Sequence, residues 1–264
     1  MEDVLTMCKK PLRAVRTAVY QWKVGRSPFF SRFPNQRASL LINSRALVST
    51  KNQFIYFRIP KAANSAVVAS LLAGESQMHR DAVEAIKTGG PKLSSLSAKQ
   101  VDRIVNDYHL FTFVRNPITR IYSCYLDKIA RSKPESRVVT MWLKRDNGAV
   151  VTFDEFLDFL EHDQNIYKDA HWARQTDLIP LGLSSLHLIG TVESFDRDFN
   201  KLVDLLGLAG RIPKRFAPHA TGATEKLAEL GSEQIQRIIR LYHDDFEKLK
   251  YPMNFDPANL ARAA

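Results

Sequence analysis

Hydrophobic and polar positions along the chain alternate between short apolar runs and longer segments with helical spacing. Apolar runs at residues 54–57, 111–114 and 186–192 are bounded by polar or turn-forming residues and predict strands. Between and after them lie helical segments, including one with a capping box at Thr152 and a last long helix capped by Ser232. This alternation predicts an α/β fold in which a parallel β-sheet is flanked by helices. Ligands are expected at the carboxyl ends of the strands.

The first candidate site is the loop that follows the strand at residues 54–57. A helix of small residues is predicted to begin at Asn64 or Ser65, so its free N–H groups and its dipole make an anion site. Lys61 adds a full charge there, Ser65 adds a hydroxyl, and Ala62 and Ala63 keep bulk away from the ligand. The P-loop pattern GxxxxGK[ST] is absent, because this loop has no glycine. A plain βα unit with a solvated lysine is the alternative.

The second candidate site follows the strand at residues 111–114. Arg115 stands at the end of this strand, and Asn116 and Pro117 open a helix as its cap and first residue. One face of that helix is polar and carries Asn116, Arg120, Ser123 and Asp127. Arg115 and the part of this face that carries Arg120 and Ser123 are expected to bind one phosphate, because a guanidinium donates two parallel hydrogen bonds to phosphate oxygens. An Arg–carboxylate pair that fixes the helix is the alternative.

Both loops resemble those of the sulfotransferases that use 3′-phosphoadenosine 5′-phosphosulfate (PAPS), and among them the carbohydrate sulfotransferases of the chondroitin and HNK-1 type. The segment RIPKAANSAV is similar to the 5′-phosphosulfate loop of that family, and FVRNPITRIYSCYLDK is similar to its 3′-phosphate loop. The resemblance covers residues 53–252, and it continues through further blocks at residues 152–160, 171–178, 188–207 and 242–252.

This resemblance implies the P-loop-NTPase-like sulfotransferase fold and an enzyme that moves a sulfuryl group from PAPS to a carbohydrate or glycoconjugate. The acceptor group would be a hydroxyl or an amine, and the in-line displacement requires no metal. Lys61 would act on the leaving 5′-phosphate, while Arg115 and Ser123 would hold the 3′-phosphate. The implied cofactor-binding residues are Lys61, Ala62, Ala63, Asn64, Ser65, Arg115 and Ser123.

A general base must take the acceptor's proton, and histidine has a suitable pKa. His171, in the HWARQ block, is the first choice, because its neighbours are expected to form a sugar-facing surface: Trp172, Arg174 and Gln175. His79 is the second choice, and His109 is expected to be structural.

Three polar segments are candidates for the rest of the site. Residues 75–105 and 131–150 are weakly periodic and are predicted to form acceptor-side lids. Residues 215–227 correspond to a loop that in the family often completes the cofactor site, and a plain surface loop is the alternative.

Length and composition indicate one main domain. The 264 residues, 45% hydrophobic, are assigned to a sulfotransferase domain over residues 41–256 and a tail over residues 257–264. The two cysteines, Cys8 and Cys124, do not suggest a disulfide framework. The chain begins Met-Glu-Asp and has no apolar stretch of about twenty residues. A soluble cytoplasmic protein is therefore expected.

Residues 1–40 are predicted to form a basic amphipathic extension. They hold eight Lys or Arg against two acidic residues, a large part of the net charge of +10. Apolar residues repeat along this extension at helical spacing: Cys8, Leu12, Val15, Val19 and Trp22. Such a helix could pack on the domain, form a dimer or lie at the inner face of an anionic membrane. Packing is the favoured interpretation.

Two other classes of function stay open. A small-molecule kinase or another nucleotide-dependent transferase would need a Mg²⁺-binding carboxylate at a strand end, and neither loop offers one. A non-catalytic nucleic-acid-binding protein would explain the positive charge. Such a protein usually interleaves basic and aromatic residues on one face, whereas the aromatic residues here occupy apolar positions. No nucleic-acid partner is therefore expected.

Overall fold

A computed structural model describes four stretches of the chain, at residues 15–35, 37–72, 89–210 and 225–254. At its centre is a sheet in the order β1-β2-β3-β4, formed by β1 (Leu47–Ser49), β2 (Phe54–Phe57), β3 (His109–Val114) and β4 (Leu188–Thr191). Strands β2, β3 and β4 are parallel, and β1 pairs with β2 in the antiparallel direction. The predicted α/β fold is confirmed, and the sheet gains an antiparallel edge strand that the pattern did not predict.

Helices cover the sheet and connect its strands. In chain order the described helices are α1 (residues 15–25), α2 (Pro28–Arg32), α3 (Ser39–Arg45), α4 (Asn64–Leu72), α5 (Ala98–Asp107), α6 (Pro117–Cys124), α7 (Arg137–Trp142), α8 (Phe153–Glu161), α9 (Phe195–Leu205), α10 (Ser232–Leu241) and α11 (His243–Lys248). A π-helical turn, Tyr125–Ile129, follows α6 directly.

The sheet is buried on both of its faces. Alternate residues of β2 belong to different parts of the core: Ile55 and Phe57 pack in one apolar cluster, and Phe54 and Tyr56 in another. In β4, Gly190 is required by close packing, because a Cβ at this position would lie 2.5 Å from the Phe113 ring. The sheet is therefore a rigid base for the loops at its edge.

Helix starts that were predicted from capping residues close together in the sequence are observed in the structure. Asn116 Oδ1 accepts the backbone N–H of Ile118 at 2.9 Å, and Pro117 is the first residue of α6. Thr152 and Glu155 form the predicted capping box of α8. Both predicted helix starts are confirmed.

The last long helix differs from the sequence prediction in its N-cap and in its length. Its N-cap is Gly231 rather than Ser232, because the Gln234 side chain accepts the Gly231 N–H at 3.1 Å. The helix also breaks at Tyr242, whose φ and ψ of −112° and 24° are not helical. The Tyr242 hydroxyl donates to the carbonyl of Trp172 at 2.6 Å. This partner lies far away in the chain, so spacing could not indicate it.

The described part of the N-terminal segment is buried at some apolar residues and exposed at others. Val24, Phe29 and Phe30 are buried in the same cluster as β2. The apolar stripe on α1 is exposed instead, with side chains of Val15 and Trp22 61% and 58% accessible. The favoured interpretation, packing of the stripe on the domain, is wrong for these residues. None of the described helices has the length and apolar character needed to cross a membrane.

Several predictions concern residues outside the described ranges. They include Cys8 and Leu12 of the stripe, His79, most of the loop at residues 215–227 and the tail at residues 257–264. The domain boundaries at residues 40 and 256 stay predictions.

Candidate active site

The two candidate loops meet at one edge of the sheet. Phe57 of β2 pairs with Thr112 of β3 in parallel, so the residues after both strands emerge side by side. The Arg115 guanidinium reaches across to the carbonyl of Lys61, with Nη1 at 3.5 Å from the oxygen. The structure therefore brings together the two sites that the sequence placed separately.

The first loop has an unusual backbone. Lys61 and Ala63 have φ of 67° and 55°, in the left-handed region, and Ala62 between them does not. Left-handed residues in alternation with others can aim backbone N–H groups into one concave, anion-binding nest. Such conformations of non-glycine residues cost about 1–3 kcal/mol each and cluster at functional sites. The free N–H groups of α4, which begins at Asn64, follow immediately.

The small side chains of this loop do not all serve a ligand. Ala62 is completely buried in the core, and its N–H donates to the carbonyl of Ile59 at 3.3 Å. Asn64 has a buried side-chain oxygen with no hydrogen-bond partner among the described residues. Asn64 is therefore the residue of this loop with unused polar capacity.

Lys61 carries the charge of the first loop. Its Nζ lies 3.0 Å from Oδ2 of Asp127, and Lys133 binds the other oxygen of the same carboxylate. Burial lowers the pKa of Lys61, Asp127 opposes that effect, and Arg115 adds to it. Burial alone would raise the pKa of Asp127, but its two lysine partners hold this pKa well below the ordinary value.

Arg115 is held by its backbone and by one side-chain nitrogen. Gln175 accepts the Arg115 N–H at 2.9 Å and donates to its carbonyl at 2.7 Å. Thr119 Oγ1 accepts from Nε at 2.9 Å, while Nη2 donates to no group among the described residues. Burial lowers the pKa of Arg115, against the raising effect of Glu193. One edge of the guanidinium thus remains available to an anion.

The structure corrects the predicted role of Arg120. This side chain is fully buried, and its nitrogens Nε, Nη1 and Nη2 donate to the carbonyls of Pro60, Ala173 and Ala170 at 3.0, 2.8 and 3.0 Å. The prediction that Arg120 helps to bind the phosphate is wrong, because backbone carbonyls already occupy its donors. Arg120 instead ties the first loop to the segment that contains His171.

Ser123 and Ser65 keep their predicted places. Ser123 is wholly buried on α6, and Ser65 is half-buried in the first turn of α4. Their roles in phosphate binding stay predictions.

His171 lies between carboxylates. Its Nδ1 is 2.7 Å from Oδ1 of Asp169, and its Nε2 is 3.8 Å from Oε1 of Glu135, which is paired with Lys128. Burial lowers the pKa of His171 despite the raising effect of Asp169. A neutral imidazole with an oriented Nδ1–H leaves Nε2 as the proton acceptor, which is the arrangement of a general base.

The predicted sugar-facing surface around His171 is wrong. Trp172 is completely buried among aromatic rings, and its indole N–H donates to the carbonyl of Asn165 at 3.0 Å. Gln175 is buried against Arg115, and Arg174 Nε donates to the carbonyl of Leu241 at 2.8 Å. These side chains brace the site because their polar atoms are bound within the protein.

Sequence reasoning missed the carboxylates that support the site. The sequence pattern placed Asp127 on the polar face of the predicted helix, but spacing did not reveal its partner Lys61. Glu193 accepts the N–H of Asn116 at 2.8 Å, and Asp245 accepts the N–H groups of Gln175 and Thr176. Glu193 and Asp245 lie in blocks that resemble the family. That resemblance was the one signal that could have found them.

The model of the family described as "Sulfotransferase family" matches residues 44–252, well over half of the chain. The chain belongs to the sulfotransferase family. The match includes both loops and His171, so the family inferred from the two motifs is confirmed. No solved structure matches the chain significantly.

Curated relatives within the family are carbohydrate sulfotransferases. Carbohydrate sulfotransferase 10 of Danio rerio is 21% identical over 79% of this chain and 66% of its own length. Carbohydrate sulfotransferase 9 of Homo sapiens is 26% identical over 80% and 54%, and carbohydrate sulfotransferase 14 of Mus musculus is 25% identical over 83% and 62%. The chain thus spans between about half and two thirds of the length of these relatives.

Proposed function

We propose that this protein transfers a sulfuryl group from PAPS to a hydroxyl or amine of a carbohydrate or glycoconjugate. The observation that carries the proposal is the meeting of Lys61 and Arg115 at the ends of two parallel strands, within the region that matches the family. The family implies PAPS as the donor, and the relatives' names support a carbohydrate acceptor.

The residues at this junction fit a donor with two phosphate groups. Lys61 and Arg115 supply two cations, and Arg115 Nη2 has no partner among the described residues. Asn64 would offer its NH₂ group to an anion if its amide were rotated by half a turn. We assign Lys61, Ala63, Asn64 and Ser65 to the 5′ end of the donor, with Ala62 packing their loop against the core, and Arg115 and Ser123 to its 3′-phosphate.

The donor would supply an activated sulfuryl group on a phosphate leaving group. Lys61 stabilises the negative charge that develops on the leaving oxygen, and the N–H groups at the start of α4 add to this. Because Lys61 provides that charge, the proposed in-line step requires no metal. As in phosphoryl transfer, the protein acts chiefly by position and electrostatics.

His171 is proposed to take the acceptor's proton at Nε2. Asp169 holds Nδ1 at 2.7 Å and stabilises the imidazolium that forms. The lowered pKa of His171 keeps the base neutral, and therefore active, at neutral pH.

Isothermal titration with adenosine 3′,5′-bisphosphate and with ADP tests this function. Wild type is expected to bind the bisphosphate and to bind ADP weakly. Arg115→Ala is expected to lose about 10- to 100-fold in affinity, since hydrogen bonds to charged groups contribute about 1.5–3 kcal/mol. Arg103→Ala, an exposed arginine on α5, is the matched control. A labelled-PAPS assay against a panel of saccharides then identifies the acceptor.

The same experiment separates the alternatives. No binding of the bisphosphate by folded wild type would contradict the proposed function. Stronger binding of ADP with Mg²⁺ would favour the kinase-like transferase. Steeply salt-dependent binding of RNA or DNA without bisphosphate binding would favour a nucleic-acid-binding protein.

We also propose a cytoplasmic location at the inner face of a membrane, through α1. Val15, Val19 and Trp22 expose 61%, 47% and 58% of their surface on this helix. Basic residues of the same segment would face anionic lipid headgroups: Arg16, Lys23 and Arg26. Val24 is buried, so the helix is anchored to the domain at its C-terminal end. The free, buried thiol of Cys124 is compatible with a reducing compartment.

Co-sedimentation with vesicles tests this location. We expect binding to vesicles with anionic lipid, weaker binding to neutral vesicles, and loss in the triple variant Val15→Ser, Val19→Ser, Trp22→Ser. Met141→Ser with Val150→Ser, two exposed apolar residues elsewhere, is the control. Equal recovery of wild type and triple variant in the supernatant would contradict the membrane proposal. A dimer that the triple variant loses would assign the stripe to a second copy.

A further inference from the structure

The chain widens into a π-helical turn directly after α6. The N–H of Ala130 donates to the carbonyl of Tyr125 at 2.9 Å, and the N–H of Lys133 donates to that of Lys128 at 3.0 Å. Both bonds join residues five apart, and such turns occur frequently at functional sites. This turn presents Asp127 to Lys61.

We propose that Asp127 is a positioning residue that holds the Lys61 ammonium at the junction of the two loops. This inference rests on the proposed function, because it gives Asp127 a role through Lys61. The sequence pattern alone places Asp127 only on a helix face. The distance of 3.0 Å and the low exposure of both side chains, 11% for Lys61 and 19% for Asp127, supply the rest.

The charges around Lys61 show why a carboxylate is needed. Burial disfavours the ammonium, and the neighbouring Arg115 guanidinium disfavours it further. Asp127 acts in the opposite direction, through its hydrogen bond and its negative charge. Without Asp127, the Lys61 ammonium would lie beside the Arg115 guanidinium in a site partly shielded from water, with no carboxylate to offset the repulsion. Lys61 would then lose its proton at a lower pH.

Lys133 completes the arrangement. Lys133 binds the second oxygen of Asp127 and is 40% exposed, so it remains partly in water. When Lys61 turns toward an anionic ligand, Asp127 still has a cationic partner. Asp127 can therefore release Lys61 without being left as an unpaired carboxylate in a half-buried position.

The test is the pH dependence of bisphosphate binding in the alkaline range. Asp127→Asn is expected to shift the alkaline loss of affinity to lower pH, because the pKa of Lys61 falls when the carboxylate is removed. Lys133→Met is expected to shift it to higher pH, because Asp127 then serves Lys61 alone. Asp127→Glu should keep the wild-type profile. Asp244→Asn is the matched control, since Asp244 pairs with Lys248 at the same 3.0 Å on the exposed side of α11.

A double variant sharpens the test. Lys61→Arg stays charged at every pH used, so adding Asp127→Asn to it should cause no shift of the alkaline limb. A uniform loss of affinity in Asp127→Asn without a shift would mean a structural role and would overturn the inference. An unchanged profile in both Asp127→Asn and Lys133→Met would overturn it as well. Failure of wild type to bind the bisphosphate would instead contradict the proposed function. If Asp127→Asn does not fold, the half-exposed Lys133 still provides the decisive variant.

Discussion

Arg115 and Arg120 are five residues apart, yet the fold uses them in opposite ways. Arg120 is fully buried, with three nitrogens bound to backbone carbonyls. Arg115 binds one side-chain oxygen closely through Nε, and its Nη2 donates to no group in the described parts of the chain. An arginine near a phosphate loop therefore indicates a binding site only when the partners of its donors are known. The same residue type here supports the site in one case and faces it in the other.

Removal of Arg120 should have the largest effect on the fold. Arg120→Met leaves the carbonyls of Pro60, Ala170 and Ala173 without a donor in a buried position. We expect a loss of about 3–5 kcal/mol in the free energy of unfolding, measured by urea denaturation. Arg115→Met should cost less than about 1 kcal/mol in the same measurement, while it abolishes most bisphosphate binding. Equal destabilisation by both variants would contradict the different roles assigned to Arg115 and Arg120.

Substitution of His171, like that of Arg115, should impair function more than stability. Its Nε2 makes no hydrogen bond to Glu135, because the two atoms lie 3.8 Å apart. His171→Ala is expected to lower kcat by about 10²- to 10⁴-fold with little change in stability. The exposed His162 is the control, and His162→Ala should keep wild-type turnover.

The pH profile checks the role of His171 with a definite sign. A lowered pKa places the acid limb of the rate profile below the ordinary histidine value of about 6.5. Asp169→Asn removes the group that raises this pKa, so the limb should move to still lower pH while kcat falls. An acid limb that does not move, or wild-type turnover in His171→Ala, would assign the base to another residue.

Substitution of Gln175 should lower both the stability of the fold and the affinity for the bisphosphate, each by an intermediate amount. Gln175→Leu removes the partners of the Arg115 N–H and carbonyl, at about 1–3 kcal/mol for each group left unsatisfied. We expect lower stability in urea denaturation together with weaker bisphosphate binding in calorimetry. Weaker binding at unchanged stability would mean that Gln175 contacts the ligand rather than the backbone of Arg115.

Thr119 should give the smallest effect. Thr119→Val keeps the shape of the side chain but removes the acceptor of Arg115 Nε at 2.9 Å. About 1 kcal/mol, or roughly fivefold, is the expected loss in bisphosphate affinity. Thr119→Ser keeps the hydroxyl and serves as the control. A Val variant that binds as tightly as wild type would show that Nε needs no support.

Much of the site could be predicted because its signals are local or are read from strand order. The cap of Asn116 and the box of Thr152 involve residues two or three positions away. The two loops share an edge because parallel strands end on the same side of a sheet. The burial of Arg120 could not be predicted, since all three of its hydrogen-bond partners lie at least fifty residues away in the chain. The burial of Trp172 was missed because its ring packs against Phe156 and Phe159 of α8, which only the folded chain brings beside it.

By itself, the sequence determined the α/β class, the family and the order of the two loops, because these depend on short-range periodicity and on motifs. Only the tertiary structure decided which polar side chains are free. Lys61 and Arg115 at the junction of the two loops, and His171 beside Asp169, keep unused or exchangeable bonds, whereas Arg120 and Gln175 are bound to backbone groups. Hydrogen-bonding capacity is finite, and distant segments compete for it. Which polar side chains remain free is therefore decided when distant segments pack together, not by the order of residues in the sequence.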